Sequence, residues 1–290
     1  MPNLDQFESA FRATLRERFV YDDPCFASVI LITDAEGTEF SEFDAAARQF
    51  LKVLDEEEPE LRTRFSTLPQ SDMRTMESML LSLKNREPDL IVTHRRLGST
   101  SPELPFSLGE HIDVLTQVAH PPVLLLPRPR QGKNAIPKNT DRVMAMTDHL
   151  AGDGRLVNAA ARFTQTGGKL FLSHIEDGAS FERFMDAISK IPAIDTEVAR
   201  ATLLERLLKE PRDFANEAGE AIAKGRGPES QISTVTLIAT GHRLSEYRRL
   251  VSEHDVDLLV LNTKDREQVA MHGTAHSLAV ELCDTPLLLL

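Results

Sequence analysis

The sequence predicts an α/β protein built on parallel sheets, and three observations carry that prediction. The last thirty-four residues, Asp257 to Leu290, run from a short apolar stretch through a polar loop into a helical pattern opening at Gly273-Thr274, then into a second apolar run, Leu287 to Leu290. Continuous apolar runs bounded by turn residues read as strands buried on both faces, and strand–helix–strand belongs to a parallel sheet. Asp89 to Leu126 repeats this unit, with Gly109 thirteen residues before Pro122 just as Gly273 stands thirteen before Pro286. Ahead of both copies, Thr33-Asp34 and Thr147-Asp148 each close an apolar run, and Ala-Ala-Ala-Arg follows eleven residues after each aspartate. Self-similarity over a domain-sized period indicates a tandem duplication.

The elements follow in order. Residues 1–26 form an appendage. Leu4, Phe7, Phe11, Leu15 and Phe19 recur at helical spacing over residues 3–20, which predicts a helix covering a sheet face or edge. Ser28 to Thr33 is the first strand and opens the first domain, residues 27–127. A helix through Phe43 to Leu54 follows, then a short segment at Arg62 to Leu68, a helix over Met73 to Leu83 and the terminal unit. About four strands are expected there. Residues 128–140, rich in proline, glycine and polar side chains, read as a linker.

The second domain, residues 141–290, is expected to hold five strands. Asp148 follows Asp34 by 114 residues and Asp257 follows Asp89 by 168, so the second copy carries 54 more in its middle. Those include a strand at Leu170 to Leu172 ending in Ser173-His174-Ile175. A helical region over about 178–224 is expected to break near Pro192 and Pro211. Ile232 to Ala239 reads as a strand and Arg243 to Glu253 as a helix.

A net charge of −12 argues against nucleic acid as a partner. The two cysteines, Cys25 and Cys283, lack the spacing of a disulfide or metal framework. Neither a signal peptide nor a run long enough to span a membrane is present, so a cytoplasmic location is expected.

With Thr-Asp closing the first strand, Ser-His-Ile after the second, and Asp-Leu-Ile-Val, glycine and Pro-Val-Leu in the terminal unit, the chain resembles the universal stress protein family. The resemblance covers both halves, apart from the first 25 residues and the linker. It implies two Rossmann-like (adenine nucleotide alpha hydrolase-like) sandwich domains related by a pseudo-two-fold. Many members pair their last strands across a two-fold axis, which implies Val123–Leu126 beside Leu287–Leu290 inside this chain; a homodimer of the whole chain stays open.

Ligands of such sheets bind beyond the carboxyl ends of the strands. In the second half the resemblance places Asp148, Ile175, Asn262, Asp265, Gly273 and Thr274 there; the weaker first-half set is Asp34, His94 and Gly109. A helix start such as Gly273-Thr274 suits an anion. ATP-binding members carry G-x2-G-x9-G-[S/T]. Here Asn262 and Asp265 stand at the first two glycines, and seven residues rather than nine precede Gly273. In the first half His94 and Leu97 take those positions and Glu110 follows Gly109. A carboxylate 4 Å from a phosphate oxygen costs about 4 kcal/mol in a surface-like dielectric. The expectation is therefore a non-catalytic protein with a degenerate ATP loop, binding a small ligand or a protein partner in a stress-linked role. The alternative is an ATP- or AMP-binding switch or slow ATPase in the second-half cleft. No cofactor is assigned beyond ATP or AMP. No metal site is assigned either, because Gly273 separates His272 from His276 and a third ligand is lacking.

Overall fold

The computed structural model describes residues 18–56, 63–98, 108–128, 136–147, 154–263 and 273–290. Nine strands join in one sheet, flanked by helices on both faces. In chain order they are β1 (Ser28–Ile32), β2 (Arg64–Thr67), β3 (Leu90–His94), β4 (Val123–Leu126), β5 (Arg142–Met146), β6 (Lys169–Asp177), β7 (Ser233–Gly241), β8 (Leu258–Leu261) and β9 (Leu287–Leu289). The spatial order is β2-β1-β3-β4-β9-β8-β5-β6-β7. All neighbours are parallel except at the centre, where β4 meets β9 antiparallel and Leu124 lies opposite Leu288. On one side of that junction the order is β4-β3-β1-β2, on the other β9-β8-β5-β6, with β7 added at the far edge.

Every side chain on the central strands is buried: Leu90–His94, Val123–Leu126 and Leu258–Leu261 are buried throughout. Helices cover both faces, as an all-buried parallel sheet requires. They are α1 (Gly37–Phe50), α2 (Val53–Glu56), α3 (Met76–Arg86), α4 (Glu110–Val118), α5 (Gly154–Phe163), α6 (Gly178–Ser189), α7 (Thr196–Arg226), α8 (Arg243–Glu253) and α9 (Gly273–Glu281). α3 starts at a reciprocal cap in which Thr75 and Ser78 each accept the other's backbone N–H through their hydroxyls.

Each of the two core layers runs across the junction. One holds Phe43, Phe50, Leu124, Leu288, Ala160, Phe163 and Ile222; the other holds Ile30, Met79, Leu125, Leu287, Met144 and Tyr247. Leading into β1, Phe19 and Phe26 are buried edge-on against Phe214 and Phe163, at 6.0 and 5.3 Å between ring centres. The approach to the first strand therefore packs on helices of the second half. The helix expected over residues 3–20 falls largely outside the described residues, and Arg18 to Val20 are not helical.

Two expectations are corrected. The break at Pro192 is present, between α6 and α7, but α7 runs unbroken through Pro211. Proline removes one ladder bond. Here its ring is buried beside Phe214, Ala215, Ala218 and Ile222, which hold the following turns on the sheet. The strand expected to stop after Leu172 extends to Asp177, paired with β7 along its whole length. No helix of the described residues is long and apolar enough to cross a membrane.

Candidate functional site

In the first half, Asp34 lies just beyond the carboxyl end of β1, beside the end of its neighbour β3. Its carboxylate is fully engaged. One oxygen accepts the Gly98 N–H at 2.9 Å; the other lies 3.1 Å from His94 Nε2 and 3.4 Å from an Arg128 nitrogen. Burial alone would raise its pKa. That is outweighed by the hydrogen bond and charge of His94, the Gly98 N–H and Arg128, which hold the carboxyl at about 2. His94 is buried, its Nδ1 donating to the Arg95 carbonyl at 3.0 Å and its Nε2 2.9 Å from the Thr33 hydroxyl. Phe43 sits edge-on to the His94 ring at 5.1 Å.

The Arg95–Gly98 turn lies across the start of α4. Arg96 donates its N–H to the Leu108 carbonyl, and Leu97 and Leu108 are both buried. Arg96 and Gly98 have positive φ, and at Gly109 (φ 102°) a Cβ would stand 3.1 Å from the Arg96 backbone. Glycine is needed there because the turn comes this close. Arg128 donates to the Arg96 carbonyl at 2.8 Å and so ties the far side of the turn down. The helix start at Gly109 is thereby packed against the protein's own backbone.

Arg95 leaves this site altogether. Its buried guanidinium crosses the junction and donates to the Ala279 carbonyl and, at 2.6 Å, to the Leu282 carbonyl at the end of α9. Burial pulls its pKa down to about 10, against the pull of Cys283 and Asp284 and with the help of Arg96.

Beside Asp34 a cleft of about 420 Å³ opens between the ends of β1 and β2, lined by Thr33, Glu36, Phe40, Leu68, Pro69 and Gln70 among others. Gln70 donates to the Thr33 carbonyl at 3.2 Å. The Glu36 carboxylate stands at the cap of α1, at a helix end that would otherwise favour an anion.

In the second half, Asp148 and Asp265 lie outside the described residues. Ile175 is buried inside β6, opposite Ala239 of β7, and its carbonyl accepts Arg243 Nε at 3.1 Å. His174 is buried too: its Nδ1 donates to the Thr147 carbonyl at 2.9 Å, while Nε2 has Glu176 at 3.5 Å and no hydrogen bond among the described residues. Both were expected beyond the strand end. They lie within it because β6 and β7 pair two residues past Ile175.

Asn262 follows β8, at the position His94 holds after Thr93 in the first half. Thr263 returns its N–H and hydroxyl to the Leu290 carbonyl at 2.9 and 2.7 Å. Gly273 and Thr274 open α9, and no described atom lies within 4 Å of where a Gly273 Cβ would stand. His276 lies 3.9 Å from Asp113 across the junction; His272 is outside the described residues. Among the described residues no cluster of three or more histidine, cysteine or acidic side chains is placed to hold a metal.

Three participants went unforeseen: Gly98, Arg128 and the removal of Arg95. A glycine four residues past the strand end was a sign of a tight turn, but nothing near Arg128 in sequence points to Asp34.

Neither the known protein families nor the curated proteins gave a match to the sequence. Among solved structures, a functionally unknown protein from Pseudomonas aeruginosa PAO1 superposes with a TM-score of 0.53 at 14% identity, over 91% of this chain and 92% of that one. A protein from Pseudomonas aeruginosa UCBPP-PA14, assigned provisionally to the universal stress proteins, gives 0.53 at 14% identity, over 91% and 93%. A universal stress protein from Archaeoglobus fulgidus aligns at 0.46 and 12% identity, over 90% and 95%. At these identities the likeness is one of fold, and it agrees with the sheet described above: this chain has the Rossmann-like α/β fold seen in universal stress protein structures.

Proposed function

We propose that the chain is a non-catalytic binding protein of the universal stress protein kind, acting in stress through a small ligand or a protein partner rather than through ATP turnover. The observation that supports this is the Arg95–Gly98 turn. A nucleotide phosphate needs free N–H groups at a helix start. At α4 the approach to Gly109 is occupied by Arg96, and the N–H of Gly98 is given to Asp34. Asp34 itself, the residue that would reach an adenosine, has both oxygens engaged. What stays open is the cleft between β1 and β2, with Phe40, Leu68 and Pro69 on its apolar walls and the Glu36 carboxylate at its rim. Such a lining favours an uncharged or cationic ligand over a polyanion.

Calorimetric titration with ATP, ADP, AMP and adenosine, with and without magnesium, tests the reading. The expected result is no ATP binding tighter than about 100 μM. Micromolar, magnesium-dependent ATP binding overturns it.

The second reading, an adenine-nucleotide switch or slow ATPase, is favoured by the start of α9 at Gly273-Thr274, a helix N-terminus of the kind that suits an anion. If nucleotide does bind, Gly273→Val should abolish it while Gly109 variants leave it unchanged. Phosphate release by the wild type then separates a hydrolase from a switch.

A further inference from the structure

The chain reaches β1 along a groove between two helices of the second half, and contacts on both helices fix its direction there. On the α5 side, Phe26 packs on Phe163 at 5.3 Å between ring centres, and further back the Val20 carbonyl accepts the Asn158 side-chain amide at 3.1 Å. On the α7 side, the Tyr21 ring lies against Gly225, Phe19 meets Phe214 edge-on, and Arg18 Nε stands 3.2 Å from a Glu217 carboxylate oxygen. Followed towards lower numbers, the chain therefore travels towards the starts of both helices. α5 begins at Gly154, about one turn beyond Asn158, whereas α7 continues back to Thr196. Its flank continues too. At about 100° per residue, Leu203, Leu207, Ala221 and Gly225 all fall within about 20° of Phe214. Leu203 and Leu207 thus extend the stripe that Phe19 and Tyr21 already cover, yet they are only partly buried where Phe214 is buried.

We propose that residues 3–17, which lie outside the described residues, dock on this flank as a helix parallel to α7, with Leu4, Phe7, Phe11 and Leu15 against Leu203 and Leu207. Those four form one apolar face at helical spacing, and Leu15 stands four residues before Phe19. Leu4 to Leu15 and Leu203 to Phe214 are both eleven residues, about 17 Å of helix each. A helix continued back from Phe19 at Phe214 brings Phe11 abreast of Leu207 and Phe7 abreast of Leu203. The chain's own segment is the favoured occupant because it is tethered at the end of the stripe. That tether holds it at a roughly millimolar effective concentration, above that of a free partner with the same face. The thread of residues 18–26 also decides which side of α7 is covered. The groove is on the α5 side, and α5 packs on β5, so the β7 edge lies beyond the other flank of α7. α7 runs antiparallel to β7, with Gly219 against Thr234 and Asn216 accepting the Thr236 hydroxyl. Leu207 and Leu203 are therefore towards the carboxyl end of the second-half sheet, the end at which such sheets take their ligands. The docked segment forms a wall at that end.

Amide hydrogen exchange of the full chain is the test. An isolated helix of this length is marginal in water, so protection of its amides reports docking. In the wild type the amides of residues 7–15 should exchange at least about tenfold more slowly than those of an unfolded segment. That protection should be the same at about 1 and about 100 μM protein. The double variant L203D/L207D should remove it, while Val198→Asp, at an exposed position on the opposite side of α7, should leave it. F7D/F11D, which alters only the segment, should also remove it and speed exchange over residues 199–208 of α7. If L203D/L207D fails to fold, F7D/F11D decides. Unprotected residues 7–15 in the wild type overturn the proposal. So does protection that survives in the folded L203D/L207D variant, or an α7 whose exchange F7D/F11D leaves unchanged. Protection that disappears on dilution would put the segment on another chain, and overturns it as well.

Discussion

Asp34 shows how one residue can be present for a ligand's sake in a resemblance and for the fold's sake in a molecule. Its partners come from three separate places in the chain, β3, the turn after it and the start of the linker. Because its pKa in the folded chain is about 2, against 3.8 when unperturbed, the carboxylate contributes stability above pH 3.8 that is lost as pH falls through about 2. The depression corresponds to about 2 kcal/mol. Asp34→Asn should therefore lose about that much at pH 7 in urea denaturation. The gap to wild type should close as the pH approaches 2, and a gap that holds constant down to that pH would contradict the assignment. None of this is visible in the residues around Asp34, since Arg128 lies 94 residues away.

At the scale of elements, the turn over α4 is the feature on which the functional reading depends, and Gly98 is its tightest point. The glycine has φ 70°, and a Cβ there would stand 2.6 Å from the His111 ring. Gly98→Ala should lower stability by about 1–3 kcal/mol, read from the denaturation midpoint. It should also free the Gly98 region for exchange, as the turn lifts from the helix start. An alanine variant as stable as wild type would mean that the turn is not held closed. The strands were legible in sequence because a strand buried on both faces must be apolar without interruption, as Leu258–Leu261 and Val123–Leu126 are. The length of β6 was not legible: Ser173, His174, Glu176 and Asp177 are polar, and it is pairing with β7 that keeps them in the strand. Pro211 misled for a similar reason. The propensity penalty is local, and the burial that offsets it comes from the sheet beneath.

Across the whole molecule, two buried arginines bind the halves reciprocally. Arg95 reaches from the first half to the last turn of α9. Arg162, from the second, donates to the Val53 and Leu54 carbonyls at 3.3 and 2.5 Å, on α2 of the first. Arg162 ends the second Ala-Ala-Ala-Arg run. Its counterpart Arg48 stays local, bonded to Asp44 and stacked over Phe65, so the repeat marked the position but not the role. Truncating either buried arginine removes its donors to these carbonyls at a buried junction, although Leu282 keeps the Thr285 N–H. Arg95→Ala and Arg162→Ala should each cost about 3 kcal/mol and shift a single unfolding transition seen alike by far- and near-ultraviolet dichroism. Two separated transitions would show that the halves unfold independently.

The antiparallel meeting of β4 and β9 also has a consequence for anything that binds. Parallel strands on either side of that seam run in opposite directions, so the carboxyl ends of the first half point one way and those of the second half the other. The cleft beside Asp34 and the start of α9 at Gly273 therefore lie at opposite poles of one sheet. A single flat surface cannot cover both, so whatever docks at one pole leaves the other uncovered.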